Sequence, residues 1–272
     1  MAGRPNTIRS NFTFTEGPVW IAEHQALLFT DVRENIVWRY RAPNKFEKYF
    51  TNTRGANGMA LFNGNQLYMC QVDGRRIMKT TLPPSVDDPP PPIELVTDNF
   101  EGNRYNQTND VAIRSDGNIY FTDPNFRGHN RDLNYLGVFR ISPDKNITVI
   151  AKNFRPNGIK LSLDEQWLYV TNNNKIERFA LDEEGTPSNP KTYAIANSTL
   201  DGMAIDDAGN LYAANKRGVE VFNPDGQSFG NMRMPGGGTV LNCTFGGPDR
   251  KTLFVTTGEA LVSIEMPIPG RP

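Results

Sequence analysis

The 272-residue chain reads as an all-β protein: a six-bladed β-propeller with four antiparallel strands per blade, forming one domain over residues 1–272. One sequence unit recurs six times. Its apolar anchors are Leu28, Tyr68, Tyr120, Tyr169, Tyr212 and Phe254, spaced 40–52 residues apart, a period that marks a radial repeat. Each anchor is preceded by a polar residue 11 or 12 positions earlier: Glu16, Asn57, Asn109, Asn157, Asp201 or Asn242. No linker separates the units.

The unit is clearest at residues 201–215. Two short apolar runs, 203–205 and 211–214, meet across Asp207-Ala208-Gly209. Glycine accepts the positive φ that such a hairpin needs. A third alternating run follows every anchor, and a fourth follows in five units. The sixth unit ends near Met266 without one. The unassigned N-terminal run, residues 7–15, is expected to supply it and so close the last blade, because an open edge invites pairing with other chains. In the second unit, residues 82–92 include four consecutive prolines. They favour extended polyproline II and read as a stiff surface connection.

Composition narrows the partners. There are 29 basic and 30 acidic residues, for a net charge of −1, and no strong basic cluster. Nucleic acid and an anionic membrane are therefore not expected as partners. No apolar run reaches the length of a membrane span. Residues 1–6 show no signal-peptide core, so the expected location is cytoplasmic, or secreted if a leader has been removed. Asn-x-Ser/Thr sequons begin at Asn11, Asn106, Asn146, Asn197 and Asn242. Cys70 and Cys243 fall on strand positions and read as buried thiols. The expected assembly is a monomer or weak homodimer.

Two polar rings carry the chemistry. The first consists of the six residues that open the units, and the inner strands of a propeller line its channel. The second lies three residues after each anchor: Asp31, Gln71, Asp123, Asn172, Asn215 and Thr257. Strands one and two are antiparallel, so both rings belong on one face of the disc. Burying such groups without partners costs a few kcal/mol each. Glu16 and Asp201 would repel across an empty channel. A divalent cation would neutralise them and accept carboxamide oxygens, and an all-oxygen donor set suits Ca²⁺ foremost, with Mg²⁺ and Mn²⁺ close behind and Zn²⁺ or Fe²⁺ as alternatives. His24 reads as a solvated turn residue. His129, in the loop at 125–134, is a candidate substrate contact. Two such histidines give a Ser-His-Asp triad little support.

Several stretches together resemble the senescence marker protein/gluconolactonase family, which includes regucalcin. They are Glu16-Gly-Pro-Val-Trp20, the run 109–124, Arg155-Pro-Asn-Gly-Ile159, Asp201-Gly-Met-Ala-Ile205 and Asn242-Cys-Thr-Phe-Gly-Gly247. They span nearly the whole chain. The resemblance implies metal ligands at Glu16, Asn157 and Asp201, with Asn109 a fourth or a water-mediated contact. It also implies lactone hydrolysis, with Asp201 as base or activator of water. The family's sugar lactonases often carry Arg where this chain has Gln107, and nearby Arg104 is the candidate substitute.

The expected reaction is hydrolysis of a small lactone. The cation polarises the carbonyl, and Asp201 or Asp123 takes the proton of the attacking water. Asn57, Arg104, Asn109, Asn172 and Asn215 are candidate contacts to substrate hydroxyls. The loops 99–108, 125–135 and 235–241 would set specificity. The last contains Gly236-Gly-Gly238, read as a flexible rim. Alternatives are an esterase or phosphotriesterase on the same metal, or a non-catalytic metal-binding propeller.

Overall fold

Alternating apolar and polar residues build six sheets of at least four antiparallel strands, arranged as the blades of a propeller. This computed structural model describes residues 2–128 and 130–272. His129, a candidate substrate contact, lies outside the described residues. Blade 1 shows the pattern: Thr15–Ile21, Ala26–Asp31, Ile36–Arg41 and Lys45–Thr51 run from the axis outward. The other inner strands are Ala56–Phe62, Val111–Ile113, Pro156–Leu161, Leu200–Asp206 and Val240–Gly246. Each touches the next, and the last returns to Thr15–Ile21.

Packing explains the repeat. The six anchors are all buried, and their side chains fill layers between adjacent blades. Tyr212 meets Phe245 edge-on at 5.1 Å between blades 5 and 6. Between blades 6 and 1, Trp20 stacks on Phe254 at 5.6 Å. The turn chemistry is also specific. Asp206 accepts bonds from Ala208 N and Asn210 N, both at 2.9 Å, and from the Tyr212 hydroxyl at 2.9 Å. The hairpin is thereby tied to its own anchor.

Both chain ends join sheets. Asn6–Ser10 pairs antiparallel with Ala260–Glu265, outermost in the sheet that holds Val240–Gly246 and Thr252–Thr257. This strand is shorter than the run 7–15, because Thr15 already opens blade 1. Gly270–Arg271 adds a fifth strand beside Leu200–Asp206.

Some local expectations change. His24 is buried rather than solvated, and its Nε2 lies 2.8 Å from Pro83 O. The proline-rich segment is thus pinned to blade 1, where Arg41 also reaches Asp87 at 3.3 Å. The glycine-rich rim contains a single 3₁₀ turn, Pro235–Gly237. Asn106 and Asn242 are buried, so their sequons are closed to a glycan in the folded chain. Cys70 and Cys243 are buried free thiols. Among the described residues no helix is long and apolar enough to cross a membrane.

Candidate active site

The first ring is made by a repeated break in pairing. Strand register shifts between Glu16 and Val19, Ala56 and Met59, Pro156 and Ile159, Leu200 and Met203, and Val240 and Asn242. Such bulges re-aim a side chain. They also bring the inner strands so close that four units carry glycine next: Gly17, Gly58, Gly158 and Gly202. A Cβ on Gly17 would lie 1.9 Å from Asn57 O, and one on Gly202 would lie 2.0 Å from Asn242 Cγ. Only a residue without a side chain fits there.

Five members of the first ring, Glu16, Asn57, Asn109, Asn157 and Asp201, line one cavity of about 600 Å³. Asn242 stands behind Glu16 and donates to its Oε2 at 3.1 Å, while Gly17 N donates to the same oxygen at 3.0 Å. The Asn157 carboxamide lies near the Asp201 carboxylate and partly offsets the rise in its pKa. Apolar wall comes from Phe14, Val32, Val72, Phe126 and Leu241. Four cations also line the cavity, Arg33, Arg127, Arg155 and Lys216, and Arg127 is paired with Asp73.

The acid groups are held under electrostatic stress. Burial pushes Glu16 up to about 7, with the charge of Asp110 adding to the effect. Asp201 keeps a strip of surface toward the cavity but is otherwise enclosed. Burial raises it well above the carboxylate range, and the charges of Glu16 and Asp110 raise it further. Asp110 was not anticipated as a site residue. It occupies the position that is glycine in four units, and its oxygens accept bonds from Val111 N at 3.0 Å and Ile159 N at 3.2 Å. It therefore ties blade 3 to blade 4 beneath the ring. Its exception to the repeat was the signal in the sequence.

The second ring does something else. Asp123 is fully buried and does not line the cavity. It accepts from Asn106 N at 2.8 Å, Asn106 Nδ2 at 2.9 Å and Gln107 N at 2.7 Å. A base role for Asp123 is corrected accordingly: the carboxylate tethers a loop. Asp31 likewise accepts from Thr13 N at 3.1 Å and Phe14 N at 2.9 Å. Asn172 accepts from Arg155 N at 3.1 Å, and Asn215 from Arg217 N at 2.7 Å. Neither lines the cavity, so their expected contacts to substrate are corrected as well. Arg104 also stays outside. It sits on the small hairpin Asn99–Phe100/Asn103–Arg104 and turns its guanidinium to Gly74 O at 3.2 Å. Gln107 lines the cavity instead, with its Oε1 accepting from Arg127 N at 2.9 Å.

The donor set is consistent with a hard divalent cation. Among the described residues no three His, Cys, Asp or Glu side chains converge. The candidate centre is therefore two carboxylates completed by carboxamide oxygens. Glu16 and Asp201 are destabilised as anions by burial, Asp201 further by Glu16 and both by Asp110, and a cation between them would reverse that.

A six-bladed propeller with a carboxylate and carboxamide ring at one mouth of its channel defines a class, and sequence comparison defines the family. Residues 14–259 match the SMP-30/Gluconolactonase/LRE-like region, and the chain belongs to that family. The gluconolactonase of Zymomonas mobilis is 32% identical over 291 aligned positions, covering 94% of this chain and 80% of that protein. The solved gluconolactonase of Xanthomonas campestris superposes with a TM-score of 0.88 at 29% identity, over 97% of this chain and 90% of that one. Regucalcin of Agrobacterium tumefaciens, described as a calcium-binding protein, shares the fold with a TM-score of 0.80 at 16% identity, over 99% of this chain and 95% of that one.

Proposed function

We propose that the protein is a metal-dependent lactonase that hydrolyses a small cyclic ester, with a sugar lactone or related ring as substrate. The observation that carries this reading is the convergence of Glu16, Asn157 and Asp201 in one cavity, with both carboxylates raised. These three residues would hold the cation, with Asn109 as a fourth ligand or a contact through water. Ca²⁺ fits the oxygen donors best. When bound, the cation would supply Lewis-acid polarisation of the ester carbonyl.

The chain's own residues do the rest. Asp201, open to the cavity beside Asn157, takes the proton of the attacking water. Asn57 and Asn109 hydrogen-bond the ring substituents. Arg33, Arg127, Arg155 and Lys216 draw in a polar substrate and later balance the carboxylate that hydrolysis releases. Phe14, Phe126 and Leu241 shield the reacting face from bulk water. The cavity wall is mostly apolar in area, while the carboxamides of Asn57, Asn109 and Asn157 offer hydrogen bonds to a hydroxylated lactone.

The test is a rate screen. Lactones of several ring sizes, an aryl ester and an organophosphate triester are compared for the wild type and Asp201→Asn. The reading expects lactones to dominate and the variant to lose at least about 100-fold, the scale of general-base catalysis. Full activity of Asp201→Asn would remove it as base, and preference for the triester would replace the substrate class.

We also propose that pairing of Asn6–Ser10 with Ala260–Glu265 closes the ring. Removing residues 2–11 would then lower the melting temperature and promote association through the bared edge. An unchanged melting temperature would reduce the strand to an accessory.

A further inference from the structure

The channel continues past the carboxylates. Toward the other end of the inner strands lies a second cavity of about 330 Å³, lined by Met59, Phe62, Ile113, Lys160 and Leu161, with Arg271 at its edge. Lys160 is an exception to the repeat. The matching position is Ala60, Ala112 and Ala204 in three other units. An alanine would serve packing there, so the lysine calls for another explanation.

The neighbouring charges are already engaged. Asp110 is held by two backbone amides. Glu165 accepts from Ser115 N at 3.0 Å and from Arg271 Nη1 at 3.5 Å, and Arg271 also donates to Leu163 O at 2.9 Å. Among the described residues the Lys160 ammonium makes no hydrogen bond or ion pair. Burial lowers its pKa, with Asp110 opposing the fall. Lys160 is half-buried, and an ammonium there without a hydrogen-bond acceptor would gain from an anion that reached it.

We propose that this second cavity binds a small monocarboxylate, with its charged end on the Lys160 ammonium and its short apolar chain against Met59, Phe62, Ile113 and Leu161. Lys160 has no hydrogen-bond acceptor among the described residues, and one ammonium suits a single negative charge. The nearby carboxylates of Asp110 and Glu165 disfavour a polyanion such as phosphate. The apolar wall favours a hydrocarbon tail over a bare ion. The proposal does not depend on the lactonase reading, because the two cavities share no lining residue.

Butyrate is the probe, titrated into the full chain by calorimetry. The wild type should bind it with a Kd of about 1 mM or tighter. Lys160→Ala and Lys160→Met should each weaken binding at least about tenfold, equivalent to about 1.4 kcal/mol. The Met variant keeps the apolar stem, so it separates loss of charge from loss of fold, and circular dichroism checks both. Lys160→Arg and Asp201→Asn should bind normally, and inorganic phosphate should not displace butyrate. The proposal is overturned if the wild type shows no saturable binding, if both neutral variants bind as well as the wild type, or if phosphate competes equally. It is also overturned if Asp201→Asn abolishes binding, which would move the probe to the other cavity.

Discussion

Replacing Glu16 by Gln should stabilise the metal-free protein and abolish its response to metal. The carboxylate is buried and titrates near 7 instead of 4.5. At pH 8.5 and above it is nevertheless charged. A shift of that size corresponds to about 3 kcal/mol that the folded state gives up to hold the charge. Glutamine has the same shape and keeps an oxygen for the bonds from Gly17 N and Asn242 Nδ2, so the variant removes the charge and little else. For a domain of this size about 3 kcal/mol is a rise of roughly 5–10 °C in Tm. The wild type, by contrast, should gain about 2.7 kcal/mol from Ca²⁺ at one hundred times its Kd. Thermal denaturation of both proteins at pH 8.5, with chelator and with Ca²⁺, gives the four values needed. The reasoning fails if Glu16→Gln melts below the wild type in chelator, or if Ca²⁺ raises both proteins equally.

Two further outcomes follow from the same electrostatics. Glu16 and Asp123 both titrate near 7 in the fold, against 4.5 and 3.8 when unperturbed. The native state thus holds more protons than the unfolded chain between those values, so the stability due to these groups is complete below about pH 4 and is lost as pH rises through 7. Chelated protein should melt at a higher temperature at pH 5.5 than at pH 8.5, and saturating Ca²⁺ should narrow the gap; a higher Tm at pH 8.5 in chelator contradicts this. Asp123→Ala should cost about 2–4 kcal/mol by orphaning two buried amides and the Asn106 side chain, yet leave Ca²⁺ affinity nearly unchanged. A variant of normal stability that has lost the metal would restore Asp123 to the site.

Much of the fold was legible because the chain repeats itself. Tyr120, Tyr169 and Tyr212 are buried anchors for the same reason, and any one of them interprets the others. The first ring was legible as well, since five of its six members share one cavity. The second ring misled because a polar residue ending a strand has two uses. Asp123 could face the cavity or hold a returning loop, and only the fold shows that Asn106 and Gln107 come back to it. Arg104 and Gln107 are three residues apart, and a two-residue hairpin turns the first outward while the second faces the cavity. Asp110 and Lys160 were visible as exceptions to the repeat. Their meaning depended on contacts between blades, which no single unit spells out.

The most direct trial of the central claim follows acid release from a sugar lactone while metal is restored. Protein stripped by chelator should be inactive, regain full activity near one equivalent of divalent cation, and gain nothing from a second. Undiminished hydrolysis in excess chelator would contradict the account, because Glu16 and Asp201 would then have no cation to share.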